Sequence, residues 1–241
     1  MPEPRPRVSL VIPAYNEGRR IGATLERATA YFKDQGYAYE IVVVDDGSTD
    51  DTREAVLRFV PAVRLIVYSK NRGKGYAMRR GMEEASGAYR IVYDADASTP
   101  IDEIDKLWPE FEKGAAVIIG SRALPDSDVQ IRQPKYRRMM GRAYNLLLRA
   151  LRLTPFRDTQ CGFKAFTEES CGVILPRLTV NGFASDCEML FIAQLHGLSV
   201  VQVPIRWINS FDSRVNPLLD SIDMFREVLL IRLNAIRGRY R

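Results

Sequence analysis

Glu40-Ile-Val-Val-Val-Asp-Asp-Gly-Ser48 is an apolar run of strand length that ends in two carboxylates and a turn. Four consecutive apolar residues leave no polar face, so the strand is expected to be buried on both sides, as in a parallel sheet. The pattern repeats on either side. Val8-Ser-Leu-Val-Ile12 is stopped by Pro13, and Arg64–Tyr68, Arg90–Tyr93 and Val117–Ile119 are further short runs. Between them lie helical stretches at 20–34 (apolar at Ile21, Leu25, Ala28 and Phe32), 50–59 (N-cap Thr49 or Asp50) and 75–85. Strand and helix in alternation predict βαβ units, a mostly parallel central sheet and an α/β fold. After 120 the sequence predicts a loop from Ser121 to Val129, a basic helix over 133–152 and a turn at Thr154-Pro155. A strand at Val200–Val203 and a helix over 218–236 follow. There is no repeat, low-complexity segment or flexible linker, so residues 1–241 read as one domain.

Composition narrows the function. The chain is 46% hydrophobic and 27% charged, a globular balance. No run approaches ~18 apolar residues and no apolar h-region opens the chain, so neither a spanning helix nor a secretory signal is expected. Three cysteines (Cys161, Cys171, Cys187) without metal-site spacing suit a reducing cytosol. The single His196, before Gly197, suits a helix end and leaves no room for chemistry built on several histidines. Net charge is +5, unevenly spread: residues 130–157 hold eight Arg/Lys and no acid, and 226–241 hold five Arg and one Glu. The remainder is therefore acidic by seven charges. Two local basic devices on an acidic body fit a nucleic-acid footprint poorly, and no nucleic-acid partner is expected.

Ligands of open α/β sheets bind beyond the carboxyl ends of the strands. Three polar clusters occupy such ends: Pro13-Ala-Tyr-Asn-Glu17, Asp45-Asp-Gly-Ser48 and Asp94-Ala-Asp96. Asp94 and Asp96 suit a hard cation shared with diphosphate oxygens, and all-oxygen ligation points to Mg²⁺ or Mn²⁺. Asp46 can accept an N–H from a nucleobase, and Tyr15 can stack on a ring or be buried structurally. Asn71-Arg-Gly-Lys-Gly75 precedes a helix, which places its backbone and Lys74 where an anion can bind. It is not a phosphate loop of the ATPase type, and no Gly-x-Gly-x-x-Gly is present, so ATP and NAD have no support.

These motifs, with Gly120-Ser-Arg122, Asp158-Thr-Gln-Cys-Gly-Phe-Lys164 and the tail from Asp220 to Arg232, resemble family 2 glycosyltransferases with the GT-A fold. Within them the chain is most similar to the polyprenyl-phosphate sugar synthases of the dolichyl-phosphate β-glucosyltransferase group. The likeness runs from about residue 8 to the end. It implies a nucleotide-sugar half over about 8–120 and an acceptor half over about 121–241. It implies a nucleotide pocket of Pro13, Tyr15, Glu17, Val44 and Asp46, and a metal-diphosphate site of Asp94, Ala95 and Asp96. Arg122 and Arg137, with neighbouring Arg138, would meet the acceptor phosphate, and Lys74 and Arg214 the donor phosphates. Asp96, Arg122 and Asp186 would be the catalytic residues, with Glu188 near the acceptor. The implied reaction is inverting transfer of glucose from UDP-glucose to a lipid phosphate, by a peripheral protein on the cytoplasmic face of a membrane. A lipid monophosphate is already anionic, so it requires positioning by cations more than a base. Another donor such as GDP-mannose, a soluble hydroxyl acceptor, or a non-catalytic basic module are the alternatives.

The basic helix carries Arg138, Arg142, Asn145, Arg149 and Arg152 on one stripe, opposite Tyr136, Met140, Ala143, Leu147 and Leu151. Arginine without balancing acid suits anionic headgroups or a phosphate acceptor, and the bland alternative is a solvated face. The last helix aligns Ile222, Phe225, Leu229, Leu233 and Ile236, which suits either the core or an interface. Asp186 and Glu188 read equally as first-turn acids of a helix.

Overall fold

A computed structural model describes residues 5–131, 135–208 and 219–241, with the side chains of these except 131, 135–138, 219 and 220. The elements run β1 (Val8–Ala14), α1 (Ile21–Lys33), β2 (Tyr39–Asp45), α2 (Thr52–Leu57), β3 (Arg64–Val67), α3 (Lys74–Glu84) and β4 (Tyr89–Val92). They continue α4 (Trp108–Glu112), β5 (Val117–Ser121), β6 (Asp128–Ile131), α5 (Lys135–Ala150), β7 (Lys164–Thr167), α6 (Glu168–Ile174), α7 (Ser185–Leu195), β8 (Val200–Pro204), β9 (Arg206–Ile208) and α8 (Leu219–Ile236).

Seven strands form one sheet in the order β3-β2-β1-β4-β7-β5-β8. Pairing is parallel except at β7, which runs antiparallel to both neighbours. Strand alternation sends Leu10 and Ile12 into one core with Leu25, Phe32 and Trp207. Val11, between them, faces the other core with Met78, Phe166, Leu190 and Ile231. Both faces of the sheet are thus covered, which is why its strands are apolar runs.

The structure departs from the sequence reading in several places, and adds α4, α6, α7 and β9 to it. The predicted loop 121–129 ends earlier, because β6 begins at Asp128 and pairs with β9 in a separate two-stranded ribbon. Strand β7 was not anticipated. The N-cap of α2 is Asp51, without a side-chain cap, and Asp50 instead accepts the Thr52 N–H at 3.1 Å. Helix α5 is rotated from the expected face: Leu148 is fully buried, with Tyr144, Leu147 and Leu151 packed around it, while Ala143 is exposed. The Asn145 amide explains the rotation, since it leaves the solvent stripe to donate to the Arg157 carbonyl at 3.0 Å. On α8, Val228, Ile231 and Asn234 turn inward, and Ile222, Phe225, Leu229, Leu233 and Ile236 stay exposed.

Candidate functional site

Parallel strands β1, β2 and β4 lie side by side, so their carboxyl ends open on one crevice. Register sets Pro13 beside Val44 and Ala14 beside Asp45. The turns beyond are knitted together. The Asn16 N–H donates to Ser48 Oγ at 2.9 Å, the Thr49 N–H to Asn16 Oδ1 at 2.8 Å, and the Glu17 N–H to Thr52 Oγ1 at 2.7 Å. Asn16 makes the turn at φ 55°, a left-handed conformation that asparagine tolerates. Tyr15 stands 41% exposed at this rim, while Val44 is a buried wall. The Glu17 carboxylate is held by Arg20, with Nη2 to Oε1 at 2.7 Å, and Arg20 also approaches Asp96 at 4.0 Å.

Asp46 is buried, and both its oxygens accept backbone N–H groups of the loop between β3 and α3, from Arg72 at 3.0 Å and Gly73 at 2.8 Å. Burial raises its carboxyl above the ordinary range despite those bonds. The loop turns at Gly73, where φ is 102° and a Cβ would lie 2.5 Å from the Asn181 carbonyl, so only glycine fits. Its next residue, Lys74, opens α3 and places Nζ 2.7 Å from Asp94 Oδ1. Burial opposes the lysine charge, but Asp94, Asp186 and Asp96 outweigh it and hold the ammonium above its usual range. Burial likewise opposes ionisation of Asp94, and Lys74, Lys164 and Arg122 overcome it, so the carboxyl is held low. Gly162 lies against this carboxylate, and a Cβ there would come within 1.8 Å of Asp94 Oδ2.

Ala95 is buried, its carbonyl accepting the Thr24 hydroxyl at 2.7 Å, and Asp96 Oδ1 accepts the Ser98 N–H at 3.0 Å. At the end of β5, Arg122 forms a two-point pair with Asp158, Nε at 2.7 Å and Nη2 at 2.8 Å, and lies over the Trp207 ring. Burial would raise the Asp158 carboxyl, but Arg122 holds it below the usual range. Asp186, on the first turn of α7, is buried against Lys164 with Nζ at 2.6 Å from Oδ1. Glu188, in the same first turn, is fully buried and accepts the N–H groups of Thr179 and Val180 and the Tyr240 hydroxyl, which makes it a brace rather than a crevice group. His196 is the C-cap of α7, and its Nε2 bonds the Tyr240 carbonyl at 2.7 Å. Cys161 is buried and free, its thiol pushed up to about 11 by burial.

Pro13, Tyr15, Glu17, Val44, Asp46, Lys74, Asp94, Ala95, Asp96, Arg122 and Asp186 therefore sit at or beside the strand ends. Arg214 lies outside the described residues, as do the side chains of Arg137 and Arg138 on α5. Sequence reasoning missed three partners: Arg20, Asp158 and Lys164. The last two bound the run 158–164, whose single acid and single base at opposite ends were the available signal.

The donor set fits a hard divalent cation. Asp94 and Asp96 supply carboxylate oxygens on side chains 34% and 25% exposed. No group of three His, Cys, Asp or Glu suited to a metal occurs among the described residues. Oxygens of a bound diphosphate would have to complete the shell, which is how Mg²⁺-type ions usually bind.

Residues 9–174 match the model of glycosyl transferase family 2. Dolichyl-phosphate beta-glucosyltransferases are similar along nearly the whole chain. That of Homo sapiens is 31% identical over 99% of this chain and 78% of its own length, and that of Saccharomyces cerevisiae 32% over 97% and 76%. Among solved structures, glucosyl-3-phosphoglycerate synthase from Mycobacterium tuberculosis, in complex with Mn²⁺, UDP-glucose and phosphoglyceric acid, superposes with a TM-score of 0.70 at 20% identity. It covers 98% of this chain and 80% of that one. By motif, sequence match and fold, the chain belongs to glycosyl transferase family 2 and has the GT-A architecture.

Proposed function

We propose that this protein transfers glucose from UDP-glucose to the phosphate of a dolichyl or polyprenyl lipid, with inversion, at an anionic membrane surface. The observation that carries the choice of acceptor is the pairing of the crevice's acids. Asp186 is tied to Lys164 and Asp158 to Arg122, so neither is a free base for deprotonating a hydroxyl. A phosphate monoester arrives ionised and requires no base.

The UDP moiety lies over β1 and β2, between the Tyr15 rim and the Asp46 loop. Mg²⁺ or Mn²⁺, held by Asp94 and Asp96 with the donor diphosphate, would supply stabilisation of the negative charge that builds on the leaving group. Lys74 fixes Asp94, and Gly162 closes over it, so the carboxylate is set before substrate arrives. Arg122, aimed by Asp158, orients the acceptor phosphate. One acceptor oxygen bonds to the anomeric carbon while the bond from that carbon to the UDP β-phosphate oxygen breaks. UDP leaves with the electron pair, and no proton changes hands.

The membrane reading is supported by two outward apolar stripes. Phe225, Leu229, Leu233 and Ile236 of α8 stay 41–71% exposed, and Met139 and Leu146 of α5 are each 69% exposed among arginines. No helix of the described residues is long and apolar enough to cross a membrane. Such faces suit lying on a bilayer, here its cytoplasmic side.

Purified protein incubated with labelled UDP-glucose, a lipid phosphate and either metal should yield a β-linked glucosyl phosphoryl lipid. GDP-mannose should be turned over at least about tenfold more slowly, a gap of about 1.4 kcal/mol in transition-state binding. Absence of labelled lipid with all chain lengths and both metals would refute the proposal.

A further inference from the structure

Beyond the crevice, the C-terminal ends of α5 and α7 flank an open cavity of about 720 Å³. Three guanidinium groups line it, from Arg149, Arg152 and Arg157, opposite Phe191, Gln194 and Leu195. All three arginines are exposed, and none has a carboxylate partner among the described residues; no acid lines the cavity. It is a separate place from the crevice. Asp186 and Gln194 are eight residues apart on α7, about 12 Å of helix rise.

The backbone is built to bring these charges together. Helix α5 ends in a Schellman turn, with the Leu153 N–H on the Leu148 carbonyl and the Arg152 N–H on the Arg149 carbonyl, both at 2.9 Å. Leu148 and Leu153 supply the buried apolar contact of that motif. The left-handed residue, normally glycine, is Arg152 at φ 53°. A strained conformation is thus accepted at a residue that lines the cavity together with Arg149 and Arg157. The Asn145 amide, on the Arg157 carbonyl, returns the chain alongside the helix. Three like charges around a partly apolar wall repel one another unless an anion bridges them, and the wall of Phe191 and Leu195 prefers an amphiphile to a free ion.

We propose that this cavity binds the phosphate headgroup of an anionic phospholipid, anchoring the protein through a site other than the one that holds the reacting lipid. The choice of a lipid rests on the proposed work at a membrane; the anion site itself does not.

The test compares the native protein, the triple variant R149A/R152A/R157A, and a control triple, K33A/R53A/R58A, taken from exposed positions on α1, on α2 and at the end of α2. Flotation with vesicles of phosphatidylcholine alone and of an equal mixture with phosphatidylglycerol reads the binding. The cavity variant should lose about tenfold or more of its partitioning onto the mixed vesicles, and the control less than about twofold. Glycerol 3-phosphate at millimolar concentration should not displace the native protein. Transfer to a short-chain, detergent-dispersed lipid phosphate should stay within about twofold for both variants, with thermal melts unchanged. Equal losses in both triples would reduce the site to diffuse charge. Displacement by glycerol 3-phosphate would make it a small-anion site, and loss of transfer would make it part of the acceptor path. Each result overturns the proposal. If the native protein transfers no glucose yet the cavity variant alone loses vesicle binding, the proposed reaction fails and the site stands.

Discussion

Three lysine or arginine residues near the crevice each hold one carboxylate: Lys74 with Asp94, Arg122 with Asp158, and Lys164 with Asp186. Asp94 is visible in the sequence as a strand-end motif and Asp186 as a first-turn acid, but the members of the three pairs lie 20, 36 and 22 residues apart. Such pairings are made by topology, so no spacing rule reveals them. Asp158 is the most buried partner of the Arg122 pair, and D158N should cost about 3 kcal/mol, since it strands a cation in a largely desolvated place. The carboxyl of Asp158 is depressed in the fold, so its stabilisation is complete above the ordinary Asp range, ~4, and is lost as pH falls through the lower folded value. Denaturant melts from pH 3 to 7 should therefore show a shallower acid decline in D158N than in the native protein. At the reacting centre, D94N should lower kcat by about a hundredfold or more in the glucosyl-lipid assay while leaving the melting temperature within a few degrees.

Among the elements, the apolar strands β1 to β5 were legible because both their faces are covered. Strand β7, Lys164-Ala-Phe-Thr167, was not, because a buried strand that begins with lysine and follows a glycine-containing loop has no apolar signature. Helix α8 was legible as amphipathic, but not which side faces outward. Val228 and Ile231 pack it on the core, and an inward polar contact adds to them. Glu227 accepts the N–H groups of Gly182 at 2.8 Å and Ala184 at 3.0 Å, capping the approach to α7. That approach also touches the start of α3, where the Tyr76 N–H bonds the Asn181 carbonyl at 3.0 Å and a Cβ on Gly75 would meet Ser185 at 2.5 Å. E227Q replaces one acceptor by a donor facing an N–H, which should cost about 1–3 kcal/mol. The expected signature is a several-fold weaker UDP affinity by calorimetry, because the loop that bears Lys74 leans on the displaced segment.

Over the whole molecule, the uneven charge read from the sequence corresponds to a division of labour. Asp45, Asp46, Asp94 and Asp96 stand at the strand ends, and the two basic stretches fall on α5 with the turn after it and on α8 with the residues beyond it. The apolar stripe of α8 distinguishes a docking face from a buried one. L229D with L233D should change stability by no more than about 0.5 kcal/mol per site, because both side chains are exposed, yet abolish vesicle flotation. A large loss in a thermal melt instead would mean the stripe is covered by another part of the fold.

The antiparallel strand in the middle of the sheet also governs the order in which the chain can be assembled. β4 and β5 are separated by β7, so neither edge can be satisfied by anything made before residue 164. At ~5–20 residues per second, the chain beyond Val92 takes roughly 4–14 s to supply that strand; the β4 edge stands open throughout, and the β5 edge joins it once residue 121 is made. Nascent chains stalled before Lys164 should therefore recruit chaperones or aggregate, and the yield of soluble protein should depend on how quickly 164–167 is delivered rather than on the stability of the finished sheet.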